Sequence, residues 1–367
     1  MTINSKWLCS LALGVSATVL AFGTTAANAQ FYRGKTLNAI INYAPGGNTS
    51  IQGRLMMRYM KKYIPGKPRL VIRNVAGAGG KVGSNYLGEV ARRDGSFFGI
   101  FTISLIAEVL KDPALRVTHA DFHLIGGLGS SSIAYVRTDV MKPRLKTGSD
   151  IFKLTQPIKS GGHDPSSSKD IMIRLGLEML NIPYKHVYGY KSGGQLRKAV
   201  MQSEIQMMAD STPGYRGRVE PTMVNTGMVV PLHHSGIPTA DGGMVSDKNF
   251  PDIPNFLQFY QKKYGAGAMP KGMYWKAWRL MAGMRAKILR ALFLPPGAPK
   301  AALDDLRMAF AKTMKDPAYL KEFKKLNKTM PNVVYGDDGE KFIRNEVKNA
   351  DPALVAWLNK FVDRARH

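Results

Sequence analysis

The chain has 367 residues, 52 basic against 26 acidic side chains for a formal charge of +26, and one cysteine, Cys9. A lone cysteine excludes an intramolecular disulfide and a multi-cysteine metal centre, so the fold rests on its core, and the length exceeds the point at which one core divides into two. The charge favours anionic partners, but the basic residues are spread out with no nucleic-acid module around them, so no nucleic-acid partner is expected.

Residues 1–29 read as a secretory signal peptide. Lys6 is their only charge, Leu8 to Phe22 is mostly apolar, and Ala27-Asn28-Ala29 is a small-x-small cleavage site. The apolar run is shorter than the ~20 residues of a membrane-spanning helix. The expectation is an exported, soluble protein of the periplasm beginning near Gln30, with Cys9 removed.

Three apolar runs of strand length follow, Leu37–Tyr43, Leu70–Val75 and Phe97–Ile103, separated by helical patterns over 50–63 and 83–93. This alternation predicts a parallel sheet with crossover helices. In the first helix Ile51, Leu55 and Tyr59 share one face, while Arg54, Arg58, Lys61 and Lys62 share another. The turn before it, Tyr43-Ala-Pro-Gly-Gly-Asn-Thr-Ser50, puts glycines where a helix start leaves N–H groups without partners. That arrangement suits an anion, and it equally suits a tight turn that needs glycine for geometry. The second strand runs into Ala76-Gly-Ala-Gly-Gly80 in the same way, and Ser104 opens the loop after the third. Loops that follow parallel strands meet at one sheet edge, where open α/β sheets bind ligands. Neither glycine loop has the spacing of a Walker A or a dinucleotide fingerprint.

From Ile133 the pattern restarts, with strands at 133–136 and 157–160, the loop Gly161-Gly-His-Asp-Pro-Ser-Ser-Ser168, and a helix with Ile171, Leu175 and Met179 on one face. Strand 185–190, helix 195–202 and strand 204–209 complete a second α/β unit. Residues 211–285, rich in Met, Pro and aromatics, read as packing or a surface insertion. The tail resumes with a strand over 288–294 and amphipathic helices that return to the first unit. A catalytic reading needs a nucleophile with its base, paired carboxylates or spaced metal ligands, and the chain shows none in a usable pattern. His233-His234 reads as a surface or packing pair, because adjacent side chains do not converge on one ion. His163, in a loop at the expected cleft, could contact a ligand or act as a general base, but with no nucleophile beside it the residue reads as solvent-exposed loop polarity, and Asp210 ends a strand where it can cap the next turn or accept from a ligand.

Taken together, Tyr43-Ala-Pro-Gly-Gly47, Val75-Ala-Gly-Ala-Gly-Gly80, Arg93-Asp-Gly95, Ser166-Ser-Ser-Lys-Asp170, Val187-Tyr-Gly-Tyr-Lys-Ser-Gly-Gly194, Phe250-Pro-Asp-Ile-Pro254 and Leu294-Pro-Pro-Gly-Ala-Pro299 resemble, in order and spacing, the Bug family of periplasmic solute-binding proteins of tripartite tricarboxylate transporters. The resemblance implies an α/β type II periplasmic binding protein fold. It has two lobes, each a mostly parallel sheet flanked by helices, with a ligand cleft between them. The implied domains are 30–132 plus 286–367, and 133–285. It also implies a non-enzymatic monomer without cofactor or metal, which captures a small di-, tricarboxylic or aromatic acid and delivers it to a membrane permease. A ligand-sensing subunit for a signalling partner is the alternative. By position, the site would comprise Pro45, Gly46, Gly47, Asn48, Thr49, Ser50, Ala78, Gly79, Gly80 and Ser104 from the first lobe. The second would supply Gly162, Ser166, Ser167, Ser168, Tyr188 and Asp210. The chain departs from the family pattern at Asn48, where a third glycine is usual, and at Ser50, where an aspartate is usual. Both changes favour an anionic ligand.

Overall fold

The computed structural model describes residues 30–365; the signal peptide expected over 1–29 lies outside them. The chain begins with β1 (Thr36–Ile41), α1 (Asn48–Met60), β2 (Arg69–Asn74), α2 (Lys81–Asn85), β3 (Phe97–Thr102), α3 (Leu105–Val109) and β4 (His123–Gly129). It then passes through Ser130 and Ser131 into β5 (Ser132–Arg137), β6 (Ile158–Gly161), α4 (Ser168–Met179), β7 (Tyr184–Val187), α5 (Gly193–Met201) and β8 (Met207–Ser211). Next come α6 (Thr212–Gly214), β9 (Val229–His234), the hairpin of β10 (Ile237–Pro238) and β11 (Met244–Val245), α7 (Phe256–Tyr264) and α8 (Gly272–Lys287). The return consists of β12 (Arg290–Leu294), α9 (Lys300–Met314), α10 (Pro317–Asn327), β13 (Asn332–Tyr335), α11 (Gly336–Lys348) and α12 (Pro352–Asp363).

Two mixed sheets result, of order β13-β4-β12-β3-β1-β2 and β7-β6-β8-β5-β9. β1 pairs in parallel with β2 and β3, and β6 with β7 and β8. β12 inserts antiparallel between β3 and β4, and β5 is antiparallel to both β8 and β9. The parallel cores are the pattern that the apolar runs announce. The antiparallel strands come from long returns, whose partners no local periodicity can specify. All five residues of β12 are buried, as its central place in the sheet requires.

The buried face of α1 is set by Leu55, Met56, Met57 and Met60; of the expected stripe Leu55 is buried while Ile51 and Tyr59 are only partly so, and Arg54 and Arg58 are exposed as expected. The second crossover helix is broken, because α2 passes into a π-helical turn over Tyr86–Val90. The Met-rich stretch before 285 is core: α8 buries Trp275, Trp278 and Met281, and Trp278 stacks on Phe256 of α7 with ring centroids 3.9 Å apart. The tail makes a second return that the sequence does not announce. On α12, Trp357 and Phe361 meet Tyr274 of α8, and the Phe361 carbonyl accepts from Arg174 of α4 at 2.6 Å, so the last helix packs on the second lobe. Among the described residues no helix is long and apolar enough to cross a membrane.

Candidate functional site

The loops at the carboxyl ends of β1 and β3 face those of β6 and β8 across a cavity of about 60 Å³. Tyr43, Gly47, Asn48, Thr49, Thr102 and Ser104 line it from the first lobe, and His163, Ser167, Ser168, Lys169, Asp210 and Ser211 from the second. The chain returning between the lobes adds Arg285 and Arg290. Gly47 caps α1 without a side chain, and no acidic residue sits in that helix's first turn, so its positive end stays open to an anion. Thr49 and Thr102 meet through their hydroxyls at 2.7 Å, and Asn48 Nδ2 donates to Asp210 Oδ1 at 2.8 Å, which joins the lobes. Ser104 Oγ accepts from the Ser168 backbone N–H at 3.0 Å, and Ala44 N–H donates to the Lys191 carbonyl at 3.2 Å. The cleft is therefore closed.

Its electrostatics come from side chains. Arg285 and Arg290 are both buried. Nη1 of Arg285 donates to Ser168 Oγ at 3.1 Å and Nη2 of Arg290 to Ser211 Oγ at 3.2 Å, while both Nε groups lack a partner in the protein. Burial pulls both guanidinium pKa values down to about 10, and in Arg290 the neighbouring Arg285 adds to the fall; both stay charged at neutral pH. Burial likewise lowers the Lys169 pKa. Against these three cations the lining offers one carboxylate, Asp210, which already accepts from Arg197 Nη1 at 2.6 Å as well as from Asn48. His163 adds no charge: burial, then Lys169, push its pKa down to about 4. Its Nδ1 donates to the Tyr190 carbonyl at 2.6 Å, so Nε2 is the acceptor of the neutral ring.

The remaining sequence-derived candidates lie outside this lining. Pro45 and Gly46 are exposed at the rim. Ser50 Oγ accepts from Asn74 Nδ2 at 3.1 Å, on the side of α1 that faces β2. The Ala78–Gly80 turn supports the first loop from behind, with Tyr43 OH donating to the Gly79 carbonyl at 2.7 Å and Asn42 Nδ2 to that of Gly80 at 3.2 Å. Gly162 packs on Asp170, Ser166 Oγ donates to Asp164 Oδ1 at 2.7 Å, and the Tyr188 ring lies edge-on to His186. His233 and His234 are packing residues, the first among Phe256, Phe259 and Trp278 and the second stacked on Phe250.

No family model matches the chain, and no curated protein matches it in sequence. Solved structures do. The periplasmic binding protein BugD aligns with a TM-score of 0.65 at 16% identity, over 90% of this chain and 98% of its own. MatC from Rhodopseudomonas palustris, solved with bound malate, aligns at 0.61 and 14% identity over 89% and 99%. Rpa4515 of R. palustris, solved with adipate, aligns at 0.65 and 13% identity over 89% and 98%. The chain has the two-lobed periplasmic binding protein fold.

In a binding-protein fold the cleft between lobes is where side chains from distant segments converge, which explains what the sequence reading missed. Lys169 lies inside the Ser166–Asp170 motif, but Arg285 and Arg290 carry no loop signal. A weaker signal is present in the pattern: Arg285 follows the apolar face of Met281, Ala282 and Met284, and Arg290 opens the apolar strand Ala291–Leu294. A charge that the periodicity places toward the core has to be paired or functional.

Proposed function

We propose that this protein is a periplasmic solute-binding protein of the Bug type, which captures a small carboxylate and hands it to the permease of a tripartite tricarboxylate-type transporter. The observation that carries the reading is the pair of buried guanidinium groups, Arg285 from α8 and Arg290 from β12, which reach one cavity and keep an Nε donor each without a protein partner. Buried cations without acidic partners are costly, and an anion with two oxygens on one carbon relieves that cost through charge-assisted hydrogen bonds. The open end of α1 adds to the attraction. Malate in MatC and adipate in Rpa4515 make organic acids the first compounds to test.

The moving bodies in this reading are 30–129 with 290–348, and 132–287 with α12. The chain crosses between them at Ser130-Ser131, at Ile288-Leu289 and again over 349–351 before α12. Arg285 and Arg290 flank the second crossing, so an anion held by both acts directly on the hinge, and ligand affinity for the closed form drives closure. A calorimetric and thermal-shift screen of di-, tri- and aromatic carboxylates against neutral sugars and amines tests the proposal. Carboxylates should raise Tm in proportion to RT ln(1 + [L]/Kd); stabilisation by neutral or cationic solutes alone would falsify it.

A further inference from the structure

Away from the cleft, the most one-sided feature of the molecule is a run of charge. From Gln30 to Gly88 the chain has ten basic side chains and no acidic one, the next carboxylate being Glu89. All but Lys81 are exposed, on the segment β1-α1-β2 and its turns. Tertiary contacts enlarge this face. Arg58 Nη2 and Tyr59 OH donate to Glu322 of α10 at 2.6 and 2.5 Å, and Tyr63 OH donates to Asp316 at 2.9 Å, which fixes α10 against α1. On the other side Arg54 Nη2 donates to Asn74 Oδ1 at 2.8 Å and ties α1 to β2, the free edge of the sheet. Lys321, Lys324 and Lys325, all exposed on α10, thereby join Lys61, Arg69 and Arg73 in one basic region of the first lobe. The two carboxylates at the helix junction are spent on it, Glu322 on Arg58 and Asp316 on Lys62.

We propose that this face holds the protein at the surface of an anionic phospholipid bilayer. What is missing from the face selects lipid over a protein partner. Stable protein interfaces rest on a few large apolar or aromatic anchors, and none of the large apolar side chains left exposed falls within 30–75 or 317–328. A bilayer carrying anionic headgroups asks only for a density of Lys and Arg near its surface. The proposal rests on the export reading and is independent of which ligand the cleft takes. For a protein that delivers its cargo to a membrane permease, such a surface keeps the loaded form close to its target.

Co-sedimentation of the ligand-free protein without its signal peptide, with vesicles of phosphatidylglycerol and phosphatidylcholine, tests it against vesicles of phosphatidylcholine alone. The protein should bind only the anionic vesicles and be released by high salt. The triple variant Lys321→Glu, Lys324→Glu, Lys325→Glu should lose binding at least tenfold. The control Lys159→Glu, Lys185→Glu, Lys271→Glu, which alters exposed lysines of the second lobe by the same charge, should lose no more than twofold. Unchanged melting temperatures and ligand affinities in both variants show that fold and cleft are intact. Absence of binding to anionic vesicles overturns the proposal, as does equal loss in the two variants, which would reduce the effect to net charge. Capture by an acidic protein without vesicle binding overturns the lipid assignment.

Discussion

The two glycine loops of the first lobe are alike in sequence and unlike in use. Tyr43–Gly47 and Val75–Gly80 each follow a parallel strand, end at a helix start and lie at the same sheet edge. The first reaches the cavity through Tyr43 and Gly47. The second carries a string of left-handed residues, with φ of 44° at Ala78, 63° at Gly79 and 98° at Gly80, and spends them on fitting behind Tyr43. The loops also meet neighbouring residues of one second-lobe segment. Tyr43 lies edge-on to His163, a ring kept neutral by burial, whereas Lys81, just after the second loop, donates to Asp164 at 2.7 Å and to Asp112 at 2.9 Å. A helix start following glycines therefore does not define a ligand site by itself; what stands across the cleft decides whether the turn faces the cavity or packs on protein.

Lys81 carries the largest difference between the two loops. Replacing it by Met leaves two carboxylates, one of them buried, without their shared cation, and truncating one member of a buried ion cluster costs about 3–5 kcal/mol. Chemical denaturation should show that loss, with the second loop failing as an interlobe contact. In the cavity that the first loop reaches, Arg285→Met should weaken carboxylate binding by about 3 kcal/mol, roughly a hundredfold. The ligand-free protein should melt no lower, because a buried cation without an acidic partner has been removed. Calorimetry and melting curves separate the two effects, and equal losses in both would contradict the assignment.

The His163 contact should appear in the pH dependence. Its folded pKa of about 4 lies below the ordinary 6.5, so between those values the unfolded chain binds a proton that the native state does not. Stability should then fall as pH drops from 6.5 towards 4, by up to about 3 kcal/mol from this residue. A His163→Gln variant should show a correspondingly shallower loss of Tm with acid. The smallest effects come from the glycines themselves. At Gly80 a Cβ would lie 2.5 Å from Asn42 Nδ2 on a backbone with φ of 98°, so Gly80→Ala should cost about 2 kcal/mol of stability and leave affinity nearly unchanged. At Gly47 the φ is an ordinary −82° and the new Cβ would meet Ser192 Cβ at 3.1 Å. Gly47→Ala should therefore weaken binding by about 1 kcal/mol through closure, with little change in Tm. If Gly80→Ala affects binding and Gly47→Ala affects folding, the two roles are reversed.

Much of this architecture was legible from local pattern. Continuous apolar runs located β1, β2 and β3, the 3.6-residue period located α1, and the restart at 133 located the second sheet, because the side chains that define those elements are close in sequence. Gly47, Thr49, Ser104 and Asp210 sit in loops that strand ends and helix starts announce, whereas Ser167 and Ser168 were implied as site residues by the family resemblance. The tertiary structure decided the rest. Only folding places β12 between β3 and β4, sends α12 back to the second lobe, and brings Arg285 and Arg290 beside Asn48, more than 200 positions away in sequence. Local sequence determines which faces can be buried; the energy of a buried charge depends on what the whole chain packs around it, and that is settled only when the lobes meet.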